Sequence, residues 1–292
     1  MTDDASRSQD ESAAHKTPKG EARKVSDSLI LAIDVETTGL STDTDSIVEL
    51  GGVYVKGGWR CGPPFCSRVN PGRYIPVDAT RIHGISQEDV EGAPSWSTVS
   101  QWFHQHIQRV DPIICGYNIL SFDALIINSE NERAGIEWRL ELNRILDPFI
   151  FCRWHHPELP SRLGKICERY GLYLPEDEAH SADADSEVTA LLVSAMVWAG
   201  YIPDDLEEAL SDQARFAQQM DEDRARWGRK LYVNREDSSK LHIASGIYRG
   251  QCIDDLDEGY LKRITNDWKA EDMSDEARTY ILERTRTQGV LF

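Results

Sequence analysis

Nowhere in its 292 residues does the sequence run apolar for the roughly 18 positions that a membrane-crossing helix needs, and its opening stretch has no apolar core of the kind that directs secretion. The chain is therefore expected in the cytoplasm. Cysteine is scarce and scattered. The six (Cys61, Cys66, Cys115, Cys152, Cys167, Cys252) include one close pair and no second pair to complete a zinc site, so they read as reduced thiols that mostly pack. Basic residues are the third shortage. With 32 Lys and Arg against 50 Asp and Glu, the formal net charge is −18, of which residues 29–195 carry −11. A protein that coats long nucleic acid draws on a basic surface, and this balance argues against one. It leaves room for an enzyme whose carboxylates hold divalent cations while it grips a polyanion by one end.

Residues 1–28 are rich in Ser, Asp, Glu and Lys with little that is apolar, so they are expected to be a disordered tail. Folding is expected from Leu29. "LAIDVETTGL", "SIVELGGVYVKGG" and "WRCGPPFCSRVN" read as paired strands, with Gly57 and Gly58 forming a hairpin turn. "SWSTVSQWFHQHIQRV" has helical spacing of Trp96, Val99, Trp102, Phe103 and Ile107, and "DPIICGYNI" reads as a short buried strand. "SFDALIINSENERAG" predicts a helix stopping near Gly135, "NRILDPFIF" a further strand, and "HSADADSEVTALLVSAMVWAG" a long helix ending at Gly200. The expected architecture is α/β, a mixed sheet covered by helices on both sides. It fills residues 29–200, followed by a charged helical connector over 201–240, a small module over 241–287 and a five-residue end over 288–292.

Two carboxylates close the first strand. Asp34 and Glu36 alternate with Val35 and therefore project from the same face. At an effective dielectric of ~20, two like charges a few ångströms apart cost on the order of several kcal/mol unless a cation or protons intervene. A strand end fraying into solvent would carry the same residues at no such cost. Asp123 opens a predicted helix, where the macrodipole alone favours a carboxylate. His180 and Asp185 lie five residues apart where a loop becomes the long helix, and Asp183 could serve equally well as a cap there.

In order, D-x-E at Asp34, N-x-x-x-F-D from Asn118 to Asp123 and H-x-x-x-x-D from His180 to Asp185 resemble the DEDDh family of 3′→5′ exonucleases, which have an RNase-H-like fold with a five-stranded mixed sheet. "PVDATRIHGISQEDVEGAPSW", "ILDPFIFCRW" and "LGKICERYGL" resemble that family's substrate-side segment, a later strand and the helix that follows it. The likeness covers residues 29–198 and departs at Tyr117, where many members have His. It implies two divalent cations, Mg2+ or Mn2+, with Asp34 bridging both, Glu36 and Asp185 completing the first and Asp123 holding the second. It implies His180 as general base, and backbone groups of Thr37 and Thr38 against the terminal sugar and 3′-hydroxyl. Leu40 would wedge against the last base, and His83, Asn118 and Phe122 would line the substrate side. The product implied is a nucleoside 5′-monophosphate.

Beyond the connector, "SGIYRGQCIDDLDEGYLKRITNDWKAEDMSDEARTYILERT" resembles the small C-terminal module of the exodeoxyribonuclease X family, although Ser245, Ile247 and Gln251 replace an aromatic and two lysines. The final "QGVLF" resembles the peptide that docks on the ring-shaped sliding clamp, through Gln288, Leu291 and Phe292. The expected function is a metal-dependent exonuclease cutting DNA from a free 3′ end in repair or proofreading. The alternatives are an exoribonuclease on the same fold and, of another class, a catalytically idle binding subunit of a polymerase or repair complex.

Overall fold

The computed structural model describes residues 22–173 and 182–288. Its central strand β1 (Ile30–Thr37) pairs antiparallel with β2 (Ile47–Lys56) along its whole length. After β2 the chain turns at Gly57 and Gly58, whose φ angles of +58° and +78° suit a two-residue hairpin, into β3 (Trp59–Arg60). The expected third strand is not continuous. Gly62 at φ +89°, followed by two prolines without N–H groups, breaks it into β3 and β4 (Phe65–Arg68), both paired with β2.

Three helices follow, α1 (Val77–His83), α2 (Gln87–Val90) and α3 (Trp96–Val110), before β5 (Ile113–Cys115), which lies parallel to β1. The result is a five-stranded mixed sheet in the order β3-β2-β1-β5, with β4 also on β2. Next come α4 (Asp123–Arg133), α5 (Pro148–His155), α6 (Leu163–Arg169), α7 (Ala182–Trp198) and α8 (Leu206–Trp227). The strand expected over "NRILDPFIF" is reduced to one bridge between Leu146 and Cys115. The cause is local: the Asp147 side chain caps the next helix by accepting from the Phe149 N–H, and Pro148 stands at its first position, where its fixed φ and missing N–H cost nothing.

Alternation along β1 sorts the two faces. Leu31, Ile33 and Val35 pack with Val99 and Phe103 of α3 and Ile126 and Ile127 of α4. Ile30 and Ala32 point the other way, into a core with Phe151 of α5, Ile166 of α6, Val193 and Met196 of α7 and Phe216 of α8. That core also takes Val25, fully buried, whose N–H donates to the Asp204 carbonyl while Lys24 bridges to Asp205. Ordered packing thus begins before Leu29, at a short apolar anchor inside the expected tail. The long helix stops as expected, with Gly200 at φ +76°.

After α8 the chain builds a second, smaller core. β6 (Leu231–Val233) pairs antiparallel with β7 (Leu241–Ile243), and α9 (Glu258–Asp267) and α10 (Asp275–Gln288) close over it with Trp227, Leu261, Met273 and Ile281 buried between them. The small sheet therefore takes in β6, which the sequence left in the connector. Among the described residues no helix is long and apolar enough to cross a membrane.

Candidate active site

Continuing the alternation of β1, Asp34 and Glu36 fall on the face covered by α7, both half-buried, and Glu36 sits directly across from Glu49 of β2. The pairing slips between Glu36 and Thr37, where a bulge lets the chain leave the sheet. Glu49 is nearly buried and pairs with Arg68 Nε at 3.0 Å. Asp123 arrives from the sheet's end. It is 7% exposed, and its Oδ1 accepts from the Val35 N–H at 3.1 Å, which pins the start of α4 to β1 between Asp34 and Glu36. Asp185 stands on the first turns of α7, half-buried, and its charge acts on both Asp34 and Glu36.

The approach to Asp123 depends on a strained, tied turn. A Cβ on Gly116 would lie 2.7 Å from the Ile119 side chain and 2.9 Å from the Ile33 carbonyl, so only glycine lets the chain pass. Asn118 then takes a left-handed conformation, φ +62°. Holding this turn is Asp147, 1% exposed, whose carboxylate accepts from the N–H groups of Asn118 (2.9 Å), Leu120 (3.2 Å) and Phe149 (3.0 Å). Its own N–H donates to Gln213 Oε1 of α8 at 2.7 Å, and Gln213 Nε2 donates to the Ile145 carbonyl at 2.9 Å. Tyr117, the departure noted in the sequence, donates its hydroxyl to the Ser161 carbonyl at 2.8 Å and meets Phe149 edge to face.

The electrostatics follow from this crowding. Burial holds the Asp34 carboxyl well above the ordinary range, and the charges of Asp123, Glu36, Asp185 and Glu49 add to it. Glu36 is pushed up to about 8 by burial, then by Glu49, Asp185 and Asp123, with Arg68 acting the other way. Asp123 is pushed up to about 7 by burial, against the pull of the Val35 N–H. Such a set holds protons or a cation at neutral pH. Oxygen donors of this kind fit Mg2+ or Mn2+. Among the described residues no group of three or more His, Cys, Asp or Glu side chains is arranged to hold a metal ion.

On the substrate side, Leu40 stands 88% exposed beside the site. Thr37 donates its hydroxyl to the Gly39 carbonyl at 2.7 Å. Thr38 donates its hydroxyl to Asp45 Oδ1 at 2.9 Å and its N–H to the Ser46 carbonyl at 2.8 Å, so both threonines are engaged in shaping the turn that presents Leu40. His83 accepts from the Ile85 N–H through Nδ1, and burial lowers its pKa, partly offset by the Thr37 carbonyl. Phe122 caps α4, half-buried against the α3–α4 core. His180, Leu291 and Phe292 lie outside the described residues, and Gln288 is the last residue of α10. The sequence did not single out Glu49, Arg68 or Asp147. Asp147 had a usable signal, an aspartate between a buried apolar run and a proline, which is an N-cap signature.

A model of the RNase_T exonuclease family matches residues 31–193. DNA polymerase III subunit epsilon of Rickettsia felis is 31% identical over 164 residues, covering 55% of this chain and 70% of that protein. The PolC-type DNA polymerase III of Ureaplasma parvum is 31% identical over 169 residues, 56% of this chain but only 11% of the polymerase, so the chain spans about a ninth of that relative's length. Among solved structures, Escherichia coli exonuclease I in complex with a dA16 oligonucleotide shares the fold, with a TM-score of 0.53 at 16% identity over 89% of this chain and 68% of that one.

Proposed function

The chain belongs to this exonuclease family, and from that premise we propose that it is a divalent-metal-dependent 3′→5′ exonuclease that removes nucleoside 5′-monophosphates from DNA. The observation that carries the proposal is the shared field of Asp34, Glu36, Asp123 and Asp185 at one end of β1, which with burial drives the pKa values of Asp34, Glu36 and Asp123 upward. These carboxylates would hold Mg2+ or Mn2+, which when bound supplies charge stabilisation at phosphorus and a water acidic enough to react at neutral pH. Asp34, on which the charges of Asp123, Glu36 and Asp185 all act, would hold the cation together with them. Leu40 packs against the terminal base and holds the strand end in register. His180 would take the proton of the attacking water as the phosphorus–O3′ bond breaks, the leaving O3′ taking a proton from solvent. Asp147 and Gln213 keep the Gly116–Phe122 turn in place so that Asp123 meets β1 correctly.

The choice of DNA is supported by the two relatives, both of which are DNA polymerase components by name. The test is digestion of 5′-labelled DNA and RNA oligomers of one sequence with Mg2+ and with Mn2+. The expected result is a ladder on DNA that shortens from the 3′ end. Equal or faster loss of the RNA would instead favour an exoribonuclease, and no cleavage of either would favour the idle binding subunit.

A further inference from the structure

In a chain of net charge −18, three arginines of different elements lie close enough for their charges to act on one another. Arg153 projects from α5, Arg224 from the last turns of α8 and Arg249 from the loop after β7. None of the three has an ion-pair partner among the described residues, whereas the nearby Arg229 pairs with Glu271 and Asp272, and Arg235 with Asp223. They act on one another: burial, then Arg249, then Arg224 lower the pKa of Arg153. A folded protein that leaves like charges in mutual repulsion gains from an anion placed among them.

Arg153 and Arg224, with Arg229 and Arg235 and against the two carboxylates of Asp221 and Asp223, line a cleft of about 540 Å3 between the exonuclease sheet's helices and the small module. Leu120 and Ser121, in the turn that leads directly into Asp123, line it as well, as does Tyr232 of β6. Phe149 also lines it, and outside the cleft lining, next to Arg249 in sequence, the ring of Tyr248 lies 4.2 Å from that of Tyr260. A basic groove interleaved with aromatic rings is how single strands are held without sequence preference: cations follow the phosphates and rings stack on bases. Continuity with the turn that bears Asp123 favours a strand running into the candidate active site over a separately docked acidic peptide.

We propose that this cleft is the track for a single-stranded nucleic acid whose 3′ end lies at Asp34 and Asp123, with Arg153, Arg224 and Arg249 contacting phosphates upstream of the bond cut. The proposal rests on the exonuclease reading for its direction, but it can be tested without catalysis. The assay is fluorescence anisotropy of a labelled oligothymidylate of about 16 nucleotides in excess EDTA, across a salt series; each phosphate contact contributes about −0.7 to the slope of log K against log salt. Arg153→Gln/Arg249→Gln should lower the steepness by about 1.4 and weaken binding about tenfold or more near 0.1 M salt, while Arg153→Lys/Arg249→Lys should keep the slope.

Should the double glutamine variant fail to fold by circular dichroism, Arg224→Gln, on an exposed helix position, should lower the steepness by about 0.7. Unchanged affinity and slope in the glutamine variants would overturn the proposal. So would the lack of any salt-dependent binding by the wild type, or loss of affinity for an acidic peptide with oligonucleotide binding intact. Salt-dependent binding that the glutamine variants lose, in a protein that cuts neither DNA nor RNA with Mn2+, would refute the exonuclease reading and leave the cleft standing. Cleavage by the wild type with variants that bind normally would do the reverse.

Discussion

Replacing Asp147 with alanine removes one acceptor from three backbone N–H groups at once. A buried donor left without a partner costs about 1–3 kcal/mol, and loss of a side-chain N-cap costs about 1 kcal/mol. The Asn118 and Leu120 groups are partly buried, so the low end applies and the sum is about 3 kcal/mol. Part of this is offset because the wild type buries a carboxyl whose pKa is pushed up to about 7 by desolvation. Its contribution is complete below the ordinary carboxylate range and is lost as pH rises through about 7. Asparagine does not titrate, keeps an acceptor for the cap and escapes that loss.

Urea unfolding followed by tryptophan fluorescence should therefore place Asp147→Ala about 2–3 kcal/mol below the wild type. Asp147→Asn should lie within about 1 kcal/mol of it near pH 5.5 and gain on it toward pH 8. Turnover by the alanine variant should fall further than its stability loss explains, because the Asn118–Phe122 turn frames Asp123. An unchanged urea midpoint for Asp147→Ala would refute the reasoning, as would an asparagine variant that falls further behind as pH rises.

Asp34→Ala should abolish hydrolysis while the metal-free melting temperature holds or rises, because it removes the carboxylate at the centre of the repulsion; calorimetry with a parallel nuclease assay reads both. His180→Ala should slow cleavage roughly 10²–10⁴-fold, the usual worth of a positioned base, and leave Mn2+ affinity by titration calorimetry nearly unchanged. Without metal, Glu36 contributes stability that is full below about 4.5 and lost as pH rises through about 8. The metal-free melting temperature should thus climb on acidification from pH 8 toward about pH 5, and saturating Mg2+ should flatten that slope. If the terminal Gln-x-x-Leu-Phe pattern docks on a sliding clamp, as its resemblance implies, deleting residues 288–292 should abolish that binding by surface plasmon resonance and leave hydrolysis of short oligomers intact; equal clamp binding with and without them would refute it.

Much of this architecture was legible because it rests on local rules. Strict alternation through Leu31–Glu36 placed Asp34 and Glu36 on one face, and that face proved to be the one covered by α7. The Gly57–Gly58 turn and the helix stop at Gly200 followed from positive φ, which glycine supplies without cost. What escaped was set by partners distant in sequence. Val25 looks like a lone apolar residue in a polar tail until the segment around Asp204 and Asp205 supplies its backbone partners. Glu49 and Arg68 meet only through the β2–β4 pairing, which no periodicity encodes. The strand expected around Leu146 was overridden by the Asp147–Pro148 helix start, where capping chemistry outweighed an apolar run.

The helix from Leu206 to Trp227 bears on where this chain can be divided. At 22 residues it is about 33 Å long, with Phe216 set in the core of the larger sheet and Trp227 in that of the smaller one. One turn before Phe216, Gln213 meets the backbone on both sides of Leu146. The family match ends at Val193, yet a fragment severed there would strip away the apolar cover over Phe151 and Trp154 and leave the Asp147 amide without its acceptor. The smallest inheritable unit is therefore the nuclease together with its strut. Shuffling of this nuclease between larger proteins would have to carry the helix along or supply a surrogate for it.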